Sequence, residues 1–373
     1  MKKILFTTNV PAPYTVEFFE QLSLKFDLTV VYERKTAANR EKEWFSEKGK
    51  SYEEIYLNGM NYGAEASFSL KIIGYLKKTY DIIIVGNYSS PVGIISILYL
   101  KFHKIPFYIH VDGGIKGEKE GIKKHIKSYL LSSAKGFLSP GSTVDEYITY
   151  YAGKTEIAHY SFSSVKQSEI LSKPLENERK KRKIKELEKN VFVNDDDFVI
   201  TSVGSIIYRK GYDVLLEAVS TIQKKVIVFI IGGEANDKLN SILKKKEIHN
   251  VFFVGFKKHS LINEYIQASD LFVLPTRYDI WGLVINEALA AGVPVITSDK
   301  CVAGLELIKD DYNGYLFHSE DAEDLRDCIK KVKNKPLAYR EILANNALKT
   351  AREYTIESMV ETYTYALMNY CNQ

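Results

Sequence analysis

Cysteine is nearly absent. The three that occur, Cys301, Cys328 and Cys371, are odd in number and far apart, so they offer neither a disulfide framework nor the paired spacing of a metal site. A reducing cytosol is the compartment that fits such a chain. Long hydrophobic runs are missing too: no stretch reaches the roughly 18 uncharged apolar residues that a membrane span needs. The opening MKKILFTTNVPAPY is interrupted by Thr7, Thr8 and Asn9 before a signal-peptide core would be complete. It reads as a first strand, and the chain as soluble. Nor does one sign of charge dominate. Lys and Arg number 51 against 47 Asp and Glu, a net +4, which gives no reason to expect nucleic acid as a partner. Short-period repeats and low-complexity tracts are absent, which excludes solenoids and tails.

What is present is an ordinary globular balance, 45% hydrophobic and 26% charged over 373 residues, enough for two cores. Short runs rich in Ile, Val and Phe, at residues 3–7, 28–32, 81–86, 106–111 and 136–139, alternate with longer helix-period segments. That rhythm predicts parallel strands with helical crossovers, a doubly wound α/β unit. A polar stretch over about 163–194, including the charged run 178–189, reads as a linker region with a solvated helix. Strands resume at 198–203, 226–231, 251–254, 271–274 and 295–297. Residues 355–370 place Met359, Val360, Tyr363, Ala366, Leu367 and Tyr370 at helical spacing, so a closing helix must pack on something. Two open sheets bind ligands beyond their strand carboxyl ends, and the cleft between the domains is the expected site.

The chemistry concentrates in residues 277–299, RYDIWGLVINEALAAGVPVITSD. Gly282 is expected to open a helix that Gly292 closes and Pro294 keeps from continuing. Free amides on Gly282, Leu283 and Val284 would then form an anion site. Asp279 before that helix and Glu287 within it suit hydrogen bonds from sugar and ribose hydroxyls. The alternative is that Asp279 caps the helix and Glu287 makes a local pair. Upstream, Gly204-Ser-Ile-Ile-Tyr-Arg-Lys-Gly211 follows a strand. There a glycine admits close approach, and Arg209 and Lys210 supply a fork and a point charge suited to a diphosphate.

These residues resemble the retaining glycosyltransferases of family 4, which have the GT-B fold. The resemblance rests on an acidic residue, seven intervening residues and a glutamate, an Ala- and Gly-containing helix end, and Pro-Val-Ile. Arg209-Lys210-Gly211 lies at the expected place upstream, with weaker echoes at Ile231-Gly-Gly-Glu234, Val254-Gly-Phe256 and Asn313-Gly-Tyr-Leu-Phe317. It covers about 198–317 strongly and the first half more weakly. It implies an acceptor-binding Rossmann-like domain over 1–190, a donor-binding domain over 191–355, and a C-terminal helix over 356–373 returning to the first domain.

Residue by residue, the resemblance implies that Arg209 and Lys210 hold the donor diphosphate. Glu287 would bind the ribose, Asp279 hydroxyls of the transferred sugar, and Gly255-Phe256 would lie near the base. His110 or Asp112, in His110-Val-Asp-Gly-Gly114, would meet the acceptor or the reacting sugar. A turn at Asp112-Gly113 with a satisfied strand-end histidine is the equal alternative. The implied reaction retains configuration, uses no metal or cofactor, and takes a nucleotide diphosphate sugar, by default a UDP-sugar, as co-substrate. A glycan or lipid-linked glycan in surface polysaccharide or glycolipid assembly is the expected acceptor. Two departures stand out: Asp279 occupies a position usually held by glutamate, and Pro11-Ala-Pro-Tyr14 lacks the paired glycines of many relatives. Competing readings are an epimerase or phosphorylase of the same fold, or a non-catalytic sugar-binding subunit.

Three weaker features complete the reading. Residues 116–132 carry apolar Ile122, Ile126, Tyr129 and Leu130 at helical spacing beside Lys119, Lys123, Lys124 and Lys127. Their apolar face is expected in the core, or else on anionic headgroups at the inner face of the cell membrane. Most of the 26 tyrosines are expected to be packed, and Tyr14 is the candidate for stacking on a sugar. Asn194-Asp-Asp-Asp197 has the spacing of a metal-chelating pair but reads as a solvated turn, and no metal is expected.

Overall fold

A computed structural model describes residues 1–36, 51–117 and 121–371. It resolves into two compact units, residues 1–164 together with the segment from Thr355 onward, and residues 165–354. In the first, the strands are β1 (Lys3–Thr8), β2 (Asp27–Tyr32), β3 (Glu53–Tyr56), the hairpin β4 (Met60–Tyr62) and β5 (Ala66–Phe68), β6 (Ile82–Val85), β7 (Tyr108–His110), β8 (Gly136–Ser139) and β9 (Glu156–His159). Seven of them form one parallel sheet in the order β3-β2-β1-β6-β7-β8-β9. Ile4 of β1 stands between Leu28 and Ile82. The second unit orders its six parallel strands β12-β11-β10-β13-β14-β15. These are β10 (Phe198–Val203), β11 (Val226–Ile231), β12 (Val251–Phe253), β13 (Leu271–Leu274), β14 (Val295–Ser298) and β15 (Gly314–Phe317). Strands such as VIVFII in β11 are buried along their whole length, as parallel strands covered by helices on both faces must be.

The doubly wound α/β architecture is as the alternating runs predict. The sequence pattern does not announce the β4–β5 hairpin or strands β3, β9 and β15. These last three lie at three of the four edges of the two parallel sheets, and half-exposed segments such as EEIY and EIAH carry too few apolar residues to signal themselves.

The segment 163–194 is no solvated linker. Its helix, Asn177–Leu187, packs into the second unit, where Ile184 joins Val199, Phe229 and Tyr265 in one apolar cluster. The Lys181 ammonium reaches the Asp270 carboxylate at 2.7 Å, with both side chains more than nine-tenths buried. Lysine stems are long enough to cover apolar surface while the charge finds a partner. For that reason a run rich in Lys and Glu misled the sequence reading, and the first unit ends near residue 164, not 190. The closing helix, Ile356–Cys371, belongs to the first unit. It buries Met359, Val360, Tyr363, Ala366, Leu367 and Tyr370. Tyr363 lies edge-on to Phe18 of the helix Pro13–Ser23, and the Tyr370 hydroxyl donates to the Phe137 carbonyl at 2.7 Å.

Candidate functional site

In the second sheet the chain leaves β10 toward β11 and β12, then returns to the other side of β10 as β13. Loops following β10 and β13 therefore diverge at a topological switch point, where open α/β sheets bind ligands. Arg209 and Lys210 come from the first of these loops and Asp279 from the second.

The loop after β10 is shaped by its glycines. Gly211 closes a 3-10 turn, Tyr208–Lys210, in the left-handed region at φ 67°. A Cβ there would sit 2.0 Å from the Pro275 carbonyl oxygen, so only glycine lets this turn press against the end of β13. The two loops are stitched together by the Arg277 amide donating to the Arg209 carbonyl at 2.8 Å, and by the Thr276 hydroxyl donating to the same oxygen at 3.0 Å. Lys210 Nζ then lies 2.6 Å from Asp279 Oδ2, and Arg209 Nη1 lies 3.2 Å from the same oxygen. Two cations on one carboxylate leave a net positive charge. Lys210 and Asp279 are mostly buried, with 13% and 12% of their side chains exposed, so that charge is weakly screened.

Asp279 does not cap the helix that follows. The helix Val284–Ala290 begins after Leu283 with no side-chain cap, and the Asp279 backbone instead bonds Lys300 and Val302. The amides of Gly282, Leu283 and Val284 head this helix, and Gly282 adopts φ 102°, where a Cβ would lie 2.8 Å from Cys301 Sγ. Burial first, and the Asp279 charge second, push the Cys301 thiol up to about 12. It is therefore no nucleophile at neutral pH.

Several residues here escaped the sequence reading. Arg277 grips Asp213 through two nitrogens at 2.8 and 3.0 Å and Glu320 through Nε at 2.7 Å, and its guanidinium lies 3.9 Å from the centre of the Tyr208 ring. It thus holds the turn that presents Arg209 and Lys210. Burial acts against the Asp213 carboxylate, but hydrogen bonds from Arg277 and Lys238 outweigh it and draw its pKa down to about 2. Trp281 is buried and donates its indole N–H to Asn286 at 3.0 Å. The nearness of Arg277 to Asp279 and of Asp213 to Gly211 in sequence was the available signal.

At the ends of β10, β11 and β12 the backbone is bare. A Cβ on Gly232 would lie 2.3 Å from the Gly204 carbonyl oxygen, and the Gly232 amide donates to Gly255 at 2.9 Å. Phe256 follows with 66% of its surface exposed. Gly204, Gly255 and Phe256 therefore share one sheet edge with the Lys210 turn.

Glu287 has a different setting. Its Oε1 lies 3.5 Å from Nε2 of His259, at the start of the helix His259–Gln267. Glu169, Asn263, Gln267 and Val165 help to close a pocket of about 20 Å³ around the pair, room for about one water molecule. The hydrogen bond to Glu287 raises the His259 pKa against the opposing effect of burial, with added attraction from Glu169. Asp279 and Glu287, expected to line one pocket, thus have separate partners.

In the first unit, His110 ends β7 with only 7% of its surface exposed. Its Nδ1 is 3.2 Å from the Tyr363 hydroxyl, its Nε2 is 2.5 Å from Asp112 Oδ1, and its ring stacks on Tyr160. Asp112 is half exposed. Tyr14 lies against Phe162 at 6.0 Å between ring centres. The aspartates of 194–197 form a local turn: Asp197 accepts from the Asn194 amide at 2.7 Å, Asp195 pairs with Lys185 at 2.9 Å, and Asp196 pairs with Lys225.

Residues 183–350 match the family model described as glycosyl transferases group 1. An uncharacterized glycosyltransferase of Methanocaldococcus jannaschii is 30% identical over 170 residues, 44% of this chain and 43% of that protein. An uncharacterized 41.2 kDa protein in the cps region of Klebsiella pneumoniae is 33% identical over 149 residues, 40% of each. The chain thus spans less than half the length of either relative. The Anabaena protein HepE, solved in complex with UDP-glucose, superposes with a TM-score of 0.74 over 99% of this chain and 100% of its own, at 16% identity. At that identity the likeness is one of fold, and the fold is GT-B, two Rossmann-like α/β domains.

Proposed function

We propose that this protein is a retaining glycosyltransferase that moves a sugar from a UDP-sugar to a glycan or lipid-linked glycan, in surface polysaccharide or glycolipid assembly. The observation that carries the reading is the convergence of Lys210 and Arg209 on Asp279 at the switch point of the second sheet, inside the segment matched by the glycosyltransferase model. The cps-region relative and the UDP-glucose complex of HepE support the pathway and donor class.

In this reading the bond from the anomeric carbon to the diphosphate breaks heterolytically, and both bonding electrons leave with the diphosphate. Lys210, Arg209 and the amides of Gly282, Leu283 and Val284 stabilise the departing charge, which is preorganised electrostatic work. The acceptor oxygen bonds to the anomeric carbon from the same face, and its proton passes to the leaving phosphate oxygen. No metal is required, because the two cations supply the positive charge. Asp279 Oδ2 holds both cations, and Oδ1 accepts a hydroxyl of the transferred sugar. Glu287 accepts the ribose hydroxyls, and Phe256 stacks near the base at the bare strand ends. Asp112, anchored by His110, receives the acceptor in the first unit.

A panel of nucleotide sugars tests this. The true donor raises the thermal midpoint, equivalent to about 2.7 kcal/mol at a hundredfold excess over its Kd, and is hydrolysed slowly without acceptor. Donor conversion to an isomer would indicate an epimerase, and silence across the whole panel would remove the reading.

A further inference from the structure

Five apolar side chains of the first unit stand in solvent on two neighbouring helices. On Ile122–Leu131 they are Ile122, Ile126 and Tyr129, four and three residues apart and so on one stripe, with 81%, 54% and 55% of their surfaces exposed. On Pro91–Phe102 they are Leu98 and Phe102, one turn apart, 43% and 82% exposed. The Lys101 ammonium lies 3.3 Å from the centre of the Tyr129 ring and joins the two rows. Each helix already buries another face: Leu130 and Leu131 on one, Val92, Ile97 and Leu100 on the other. The exposed row is therefore a second apolar surface, beyond what the core needs.

Among the described residues of these two helices, charge has one sign. Residues 91–104 and 121–132 contain no Asp or Glu, yet they carry Lys101, Lys104, Lys123, His103 and His125. Lys104 and Lys123 are exposed. Two cations expected at headgroups turn toward the protein instead. The Lys124 ammonium lies 4.2 Å from the Tyr150 ring centre, and that of Lys127 lies 4.6 and 4.5 Å from those of Tyr147 and Tyr151. Lys119 lies outside the described residues. An apolar row on two helices whose described charged residues are all cationic matches a membrane surface, whose hydrocarbon boundary takes the rings and whose anionic headgroups meet the ammonium groups. A second copy of this chain fits less well, because self-pairing would bring like charges together.

We propose that the face formed by Leu98, Phe102, Ile122, Ile126 and Tyr129 docks on an anionic lipid bilayer, with Lys104 and Lys123 as its headgroup contacts. This stands apart from the donor-site reading, since vesicle binding reports on this face alone. The full chain is expected to co-sediment with phosphatidylcholine vesicles containing phosphatidylglycerol, not with phosphatidylcholine alone, and to be released by salt. The triple variant Phe102→Ser, Ile122→Ser, Ile126→Ser and the double variant Lys104→Glu, Lys123→Glu should each lower binding about tenfold, with the thermal midpoint unchanged. Equal binding by the variants, indifference to the anionic lipid, or a solution dimer that the triple variant splits would overturn the proposal.

Discussion

One oxygen of Asp279 serves both Lys210, at 2.6 Å, and Arg209, at 3.2 Å, so removing either cation leaves the carboxylate paired. Lys210→Ala is therefore expected to fold with little change in thermal midpoint. Sugar transfer should fall about 10²–10³-fold, the scale of losing one preorganised charge-stabilising donor. Steady-state transfer and calorimetry read the two effects separately, and near-full turnover would exclude Lys210 from the chemistry. At the second corner, the hydrogen bond that His259 donates to Glu287 raises the His259 pKa above its ordinary 6.5. The stability this pair contributes is complete below that ordinary value and fades as pH rises through the higher native one. Glu287→Gln should return the imidazole titration, followed by NMR, toward its ordinary range and flatten the decline. An unmoved titration would mean that the two groups are not coupled.

Among the elements, the 3-10 turn Tyr208–Lys210 depends on groups that arrive from far along the chain. Arg277 forks onto Asp213, reaches Glu320 and covers Tyr208. Lysine there keeps the charge but loses the fork and the stacking. Arg277→Lys should cost about 1–3 kcal/mol and reduce transfer, because the turn that carries Lys210 loosens. The acid limb of the stability curve gives a separate check. Asp213 is held down at about 2, so its contribution is present above its ordinary 3.8 and is lost as pH falls toward 2. Urea unfolding between those values should show a shallower fall for the variant than for the native chain. At this scale the sequence was legible where periodicity is strong: the strands inside the two sheets and the closing helix follow from apolar spacing alone. It was opaque where polar residues do structural work. The helix Asn177–Leu187 looks solvated because its stabilising contact, Lys181 to Asp270, spans 89 residues.

For the molecule as a whole, two compact units with separate parallel sheets imply two responses to perturbation. Tyr363 is fully buried in the first unit against Phe18, Tyr160 and His110. Tyr363→Ala should open a cavity costing on the order of 3–5 kcal/mol. Calorimetry should show the first unit melting earlier, while UDP still raises the transition of the second. A UDP effect confined to the first unit would contradict the donor-site assignment. The sequence by itself determined the α/β rhythm, the glycines that open the strand ends, and the cationic and acidic residues at the loops. All of these follow from local periodicity and conformational limits within a few residues. Only the tertiary structure decided the partners: Lys210 with Asp279 across 69 residues, Glu287 with His259, and tyrosines under Lys124 and Lys127 while Ile122 and Ile126 face solvent. Strand order sets which loops meet, and it is fixed by long-range packing that no local pattern encodes.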